Sequence, residues 1–72
     1  MRIEYRIVSS ITNGINETYT NLKDYKERFY YIFNHKEEFK NNSMIYFYRH
    51  TYNEEGKYTS KTLSVIDLRE EK

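Results

Sequence analysis

The sequence predicts an α+β domain: a three- to four-stranded antiparallel sheet with one helix packed on one face, in the order β-(β)-α-β-β. Three observations predict it. The chain begins with apolar and polar residues in alternation, from Leu22 it changes to helical spacing, and it ends in two runs rich in aromatic and β-branched residues around a glycine-containing turn.

Ile3, Tyr5 and Ile7 alternate with Glu4, Arg6 and, less cleanly, Val8. That period predicts a first strand with one buried face. Asn13-Gly14 follows and suits a type I′ turn, because both residues tolerate positive φ. Such a turn folds Ile15 to Tyr19 back on the first strand. Direct reversal, however, sets Asn16, Thr18 and Thr20 on the face of Ile7, Ser9 and Ile11. The segment is therefore read as an edge strand or a loop. Leu22, Tyr25, Phe29, Ile32 and Phe33 then form one stripe of a helix. Asn21 is its N-cap, with Asp24 three residues on, and because Lys36 falls in the middle of the stripe either the helix ends near Asn34 or His35 or Lys36 snorkels at its edge. Phe39 is placed under the core, and Asn41-Asn42-Ser43 is a turn.

Met44 to Tyr52 and Tyr58 to Leu68 form the closing hairpin, with Gly56 in the left-handed position of a short loop bearing a G1 bulge. Pairing Asn53 with Lys57 sets Phe47 opposite Leu63 and Ile45 opposite Val65, an apolar face for the helix. Arg69-Glu70-Glu71-Lys72 is a charged tail expected to fray.

Residues 1–72 make one small α+β domain, since two would each be too small to hold a core. A core of this size supplies only about 3–5 kcal/mol. No cysteine is present, so neither a disulfide nor a zinc–thiolate site can supplement it. Self-association is an expected source of extra stability. Mean hydropathy is −1.02, a value that leans toward disorder. Nine Tyr and four Phe argue for order, because tyrosine counts as polar yet buries a large ring. Twelve basic against eleven acidic residues give a net charge of +1, neither a basic DNA binder nor an acidic DNA mimic. The charged start Met1 to Arg6 is unlike a signal peptide, and no run is long and apolar enough for a membrane helix. The expected location is the cytoplasm of a bacterial host cell, with no membrane partner.

The other face of the hairpin carries the functional expectation. The same register gathers Tyr46, Tyr48, His50, Tyr52, Tyr58, Ser60, Thr62 and Ser64. The one helix is used on the first face, so nothing remains to cover them. Interfaces favour tyrosine for its large ring, hydroxyl and few rotors. Against this stands the β propensity of aromatics, since pairs such as Tyr52 with Tyr58 stabilise hairpins on their own. Tyr30 and Tyr31 fall off the helix stripe and join the candidate partner-binding residues.

Chemistry is less in view. His35 and His50 lie on different elements, and the pairs Glu37-Glu38 and Glu54-Glu55 diverge. His35 with Glu38 has helical spacing but lacks a third metal ligand. Gly14 and Gly56 sit in turns, not in a phosphate-cradling loop. No catalytic set, cofactor or metal site is predicted. The favoured expectation is a non-enzymatic module that binds a larger host protein as an inhibitor or adaptor. Composition rich in Asn, Lys, Ile, Tyr and Glu fits an AT-rich genome and a phage or mobile-element accessory protein, an anti-CRISPR-type inhibitor being one form. The alternative is a domain that stacks single-stranded nucleic acid on its tyrosines, with Arg6, Arg49, Lys57 and Lys61 as phosphate contacts. A homodimer through the tyrosine face is compatible with either.

Overall fold

Alternation in the first eight described residues and the aromatic runs near the end become one sheet, and the helical stripe between them becomes its cover. The computed structural model describes residues 2–69. Strands cover Arg2–Ser9 (β1), Asn16–Tyr19 (β2), Met44–Tyr52 (β3) and Tyr58–Asp67 (β4), with a helix over Leu22–Asn34 (α1) and a 3-10 helix over Lys36–Asn42. The sheet is antiparallel throughout, in the order β2-β1-β3-β4. It is an α+β fold with one main helix on one face. Of the charged tail, Glu70 to Lys72 lie outside the described residues.

The core forms between α1 and one half of the sheet. Ile7, Ile45, Phe47 and Ile66 from the strands, and Leu68 just after β4, meet Tyr25 and Ile32 from α1, with Phe29 and Phe39 packed beside them. Phe29 approaches Phe47 edge-on at 4.9 Å, and Tyr25 stacks on Tyr5 at the same separation. Helix α1 starts where the sequence places it: the Asn21 side chain accepts the Asp24 amide at 2.8 Å. It ends at Asn34. Of the expected stripe, Leu22 and Phe33 stay exposed, since both fall to the same side of the Tyr25, Phe29 and Ile32 line that packs on the core. The Lys36 ammonium lies 4.4 Å from the Phe33 ring centre. Ile3, on the same face as Ile7, is also exposed, because α1 does not extend over that end of the sheet.

The β1–β2 connection departs from the expected turn. Tyr5 pairs with Tyr19 and Ile7 with Glu17, and the Ser9 amide donates to the Ile15 carbonyl at 2.8 Å. The loop is thus Ser10 to Gly14 and not the Asn13-Gly14 dipeptide alone. This register places Ile15, Glu17 and Tyr19 on the helix side, which removes the polar clash that direct reversal implied. Gly14 is not in the left-handed region; Gly56 is the glycine with positive φ, at 84°. Gly14 is required for close approach. A Cβ there would sit 2.6 Å from Asn42 Oδ1 and closer still to Ser9.

Asn42 is the clamp at this point. Its Oδ1 accepts the Ile15 amide at 2.8 Å, its Nδ2 donates to the Phe39 carbonyl at 3.0 Å, and its own carbonyl accepts the Ser9 hydroxyl at 2.9 Å. One side chain therefore ties the β1–β2 loop to the 3-10 helix. Arg28 of α1 holds β2 by a bidentate contact to Glu17, both bonds being 3.0 Å.

The closing hairpin has the expected loop. Asn53 donates to the Lys57 carbonyl at 2.9 Å and accepts the Gly56 amide at 3.1 Å. Further along, the register differs from the uninterrupted pairing. A β-bulge between Phe47 and Tyr48 on β3 leaves Leu63 as the extra residue on β4. Phe47 then faces Ser64 instead of Leu63, and Ile45 faces Ile66 instead of Val65. Ile66 enters the core, while Leu63 and Val65 are 38% and 43% exposed.

Candidate functional site

Strand pairing fixes which side chains share the uncovered face, because residues directly opposite one another project the same way. From β3 come Tyr46, Tyr48, His50 and Tyr52; from β4 come Tyr58, Ser60, Thr62 and, beyond the bulge, Val65. Ser64, expected here, turns to the helix side opposite Phe47. From β1 come Arg2, Glu4, Arg6 and Val8, paired with Tyr52, His50, Tyr48 and Tyr46 in turn. Arg2 and Arg6 thus lie on the tyrosine face. Arg49 and Lys61 pair with each other on the opposite face.

The aromatic groups form a continuous ladder. Tyr46 stacks with Tyr48 at 6.1 Å, Tyr48 approaches His50 at 6.1 Å, and Tyr58 stacks on His50 at 4.7 Å. Tyr58 and Tyr52 meet across the strands at 5.4 Å. His50 is buried at 9% exposure by the rings around it, whereas Tyr58 at the sheet edge is 57% exposed. Tyr46, Tyr48 and Tyr52 are half-buried.

Charge on this face is largely internally matched. The Arg2 guanidinium lies 4.3 Å from the Tyr52 ring centre and 3.9 Å from Glu4. Tyr52 donates its hydroxyl to Glu4 at 3.1 Å. Loss of hydration and then this bond push the Tyr52 hydroxyl above its ordinary pKa, so it remains a donor. Arg6 donates to Asn16 of β2 at 3.1 Å. Two polar atoms of the face, His50 Nδ1 and Arg6 Nε, are buried with no hydrogen-bond partner.

Tyr30 and Tyr31 are not brought to this face; they belong to α1, on the other side of the sheet. Tyr30 is exposed. Tyr31 stacks on His35 at 4.2 Å and donates to Glu38 at 2.6 Å. His35 and Glu38 are thus both engaged by Tyr31. Among the described residues no three His, Cys, Asp or Glu side chains gather as a metal site. An open depression of about 340 Å³ is lined by Tyr19, Asp24, Glu27, Arg28 and Tyr31, and its arginine is committed to Glu17. No helix among the described residues is long and apolar enough to cross a membrane. The chain matches no family model, no curated protein and no solved structure.

Proposed function

We propose that the chain is a non-enzymatic binding module whose tyrosine-lined sheet face docks on a larger host protein. The observation that carries this reading is the ring ladder from Tyr46 to Tyr58 on a sheet face that no element among the described residues covers. The rings are large and few-rotored, and they are already half ordered by mutual stacking, so docking costs little further entropy.

A protein partner is favoured over single-stranded nucleic acid by the charges. Phosphate tracking needs a run of uncommitted cations beside the aromatic platform. Here Arg2 is engaged with Tyr52 and Glu4, Arg6 with Asn16, and Arg49 and Lys61 point the other way. Mixed, balanced charge at the rim suits register setting between proteins. The mechanism is steric: the module inhibits or adapts its target by occupying a surface. Its composition favours a phage or mobile-element origin, with an anti-CRISPR-type inhibitor as one form.

The test is capture by the tagged chain from a low-GC bacterial lysate, with and without nuclease, beside a Tyr48→Ala/Tyr58→Ala variant shown to unfold cooperatively. One stoichiometric protein that survives nuclease and is lost with the variant is the expected result. Capture that vanishes with nuclease would transfer the face to nucleic acid. Capture indifferent to the two substitutions would return the rings to a structural role.

A further inference from the structure

We propose that the outer edge of β4 is a self-association site, where a second copy of this chain adds antiparallel across a two-fold axis near Ser60. The two sheets would join as one of eight strands, and the inference stands independently of what the tyrosine face binds.

The two edges of the sheet differ. Strand β2 has four residues and is tied to α1 through Glu17 and Arg28. Strand β4 has ten, with Lys61 as the one cation and Asp67 as the one anion, and no proline occurs anywhere in the chain. Sheet edges are ordinarily blunted by shortness, charge, proline or a cover. Among the described residues the β4 edge has the bulge at Leu63 and the single charge of Lys61, which leave Tyr58 to Thr62 as a regular run.

The direction of the main-chain groups in that run follows from the hairpin. Asn53 and Lys57 are a hydrogen-bonded pair. Alternation makes Thr51 with Thr59 and Arg49 with Lys61 bonded pairs as well. Tyr58, Ser60 and Thr62 therefore aim their amides and carbonyls away from β3, at the open edge. Across a two-fold at Ser60, Ser60 exchanges bonds with its own counterpart, and Tyr58 does so with Thr62 of the second copy. That satisfies all six outward groups, and Lys61 meets a threonine.

A second copy fits better than an unrelated strand because the run is self-complementary and the small core gains stability from the association.

The experiment is sedimentation of the whole chain up to about 1 mM, with amide exchange read across the same dilution. The expected result is a dimer in which the amides of Tyr58, Ser60 and Thr62 gain protection with concentration. Ser60→Pro removes an outward amide and leaves the β3 ladder intact. It should weaken association roughly twenty-five-fold, two main-chain bonds at about a factor of five each. A chain that stays monomeric throughout would overturn the proposal. So would a dimer in which the Ser60 amide exchanges as in the monomer, or one abolished by Tyr48→Ala while indifferent to Ser60→Pro when that variant is folded. If Ser60→Pro fails to fold, the parent's concentration-dependent exchange decides alone.

Discussion

Replacing each glycine by alanine separates two physical reasons for having glycine at all. At Gly56 the backbone has φ 84° and nothing lies within 4 Å of an added Cβ. Alanine there meets only the left-handed penalty, about 1 kcal/mol. At Gly14 the backbone is ordinary and the space is absent, since an added Cβ would overlap Ser9 and reach 2.6 Å from Asn42 Oδ1. Relief requires Ser9 and Asn42 to move apart. That disturbs the Ser9 hydroxyl bond to the Asn42 carbonyl at 2.9 Å, the Ile11 amide bond to Ser9 at 3.1 Å and the Ile15 amide bond to Asn42 at 2.8 Å. At about 1 kcal/mol net per bond, Gly14→Ala should cost about 2–3 kcal/mol. Thermal and urea unfolding followed by circular dichroism measure this, with a fall in melting temperature of about 10–20 °C. Asparagine should discriminate further, because it enters the left-handed region readily: Gly56→Asn should be milder than Gly56→Ala, and Gly14→Asn at least as harmful as Gly14→Ala. The reasoning is refuted if Gly14→Ala lies within about 0.5 kcal/mol of the parent, or if Gly56→Ala is the costlier of the two.

Phe47 is fully buried against Phe29 and Tyr25, so Phe47→Ala should cost about 3–5 kcal/mol. That equals the whole expected stability of about 3–5 kcal/mol, and the variant should be largely unfolded at 25 °C by circular dichroism. Arg69 holds the Asp67 carboxyl down at about 2. A depressed carboxylate favours the fold above its ordinary value and loses that contribution as pH falls toward about 2. Stability of the parent should thus decline between about pH 4 and 2 more than that of Asp67→Asn, by urea titration. At the alkaline end, burial and then the bond to Glu17 push the Tyr19 hydroxyl from 10.0 up to about 12. Its contribution is complete below pH 10 and fades as pH rises toward 12, so Tyr19→Phe should flatten that alkaline limb.

Period and capping were sufficient for most of the fold, because they are local signals. Asn21 with Asp24 marks the start of α1, and alternation along Met44 to Tyr52 separates the tyrosines from Ile45 and Phe47 without knowledge of any partner strand. Register was legible only in part. The bulge at Leu63 carries no turn residue, since leucine is as acceptable in a strand as outside one. A trace of it does exist. Ile66 and Leu68 share one parity and Leu63 and Val65 the other, so no uninterrupted strand could bury both pairs on one face. The β1–β2 loop has a similar trace. Ile15 and Tyr19 join the face of Tyr5 and Ile7 only if the turn is odd in length. The 3-10 helix Lys36–Asn42 has Phe39 as its lone apolar residue, too little for any periodicity. The placement of Arg6 beside Tyr48 depends on β1 lying next to β3, a pairing across some forty residues that no local pattern encodes.

The same ladder that offers a surface also fastens the part of the sheet that α1 does not cover. The molecule extends 46 Å along its major axis, whereas a 13-residue helix spans about 20 Å. Beyond the helix, Ile3 and Thr51 on one face and Tyr52 and Tyr58 on the other are all partly or wholly exposed. What joins the strands there is cross-strand contact: Tyr52 with Tyr58, Tyr58 on His50, Arg2 over Tyr52, and Tyr52 to Glu4. Such pairs contribute about 0.2–1 kcal/mol each, well below the burial of Ile7 and Phe47 at the other end. The hairpin tip should therefore open without global unfolding. In dilute solution, native-state amide exchange at Thr51 and Thr59 should report a smaller opening free energy than at Ile45 and Ile66. Both pairs are hydrogen-bonded across the same two strands, so the comparison isolates the helix cover. Equal protection at the two ends would mean that the rings hold the overhang as firmly as the core holds the base. The tyrosines would then be explained by stability alone. Lower protection at the tip means that the ladder contributes less to the fold than its area allows, leaving most of that aromatic surface for a partner to bury.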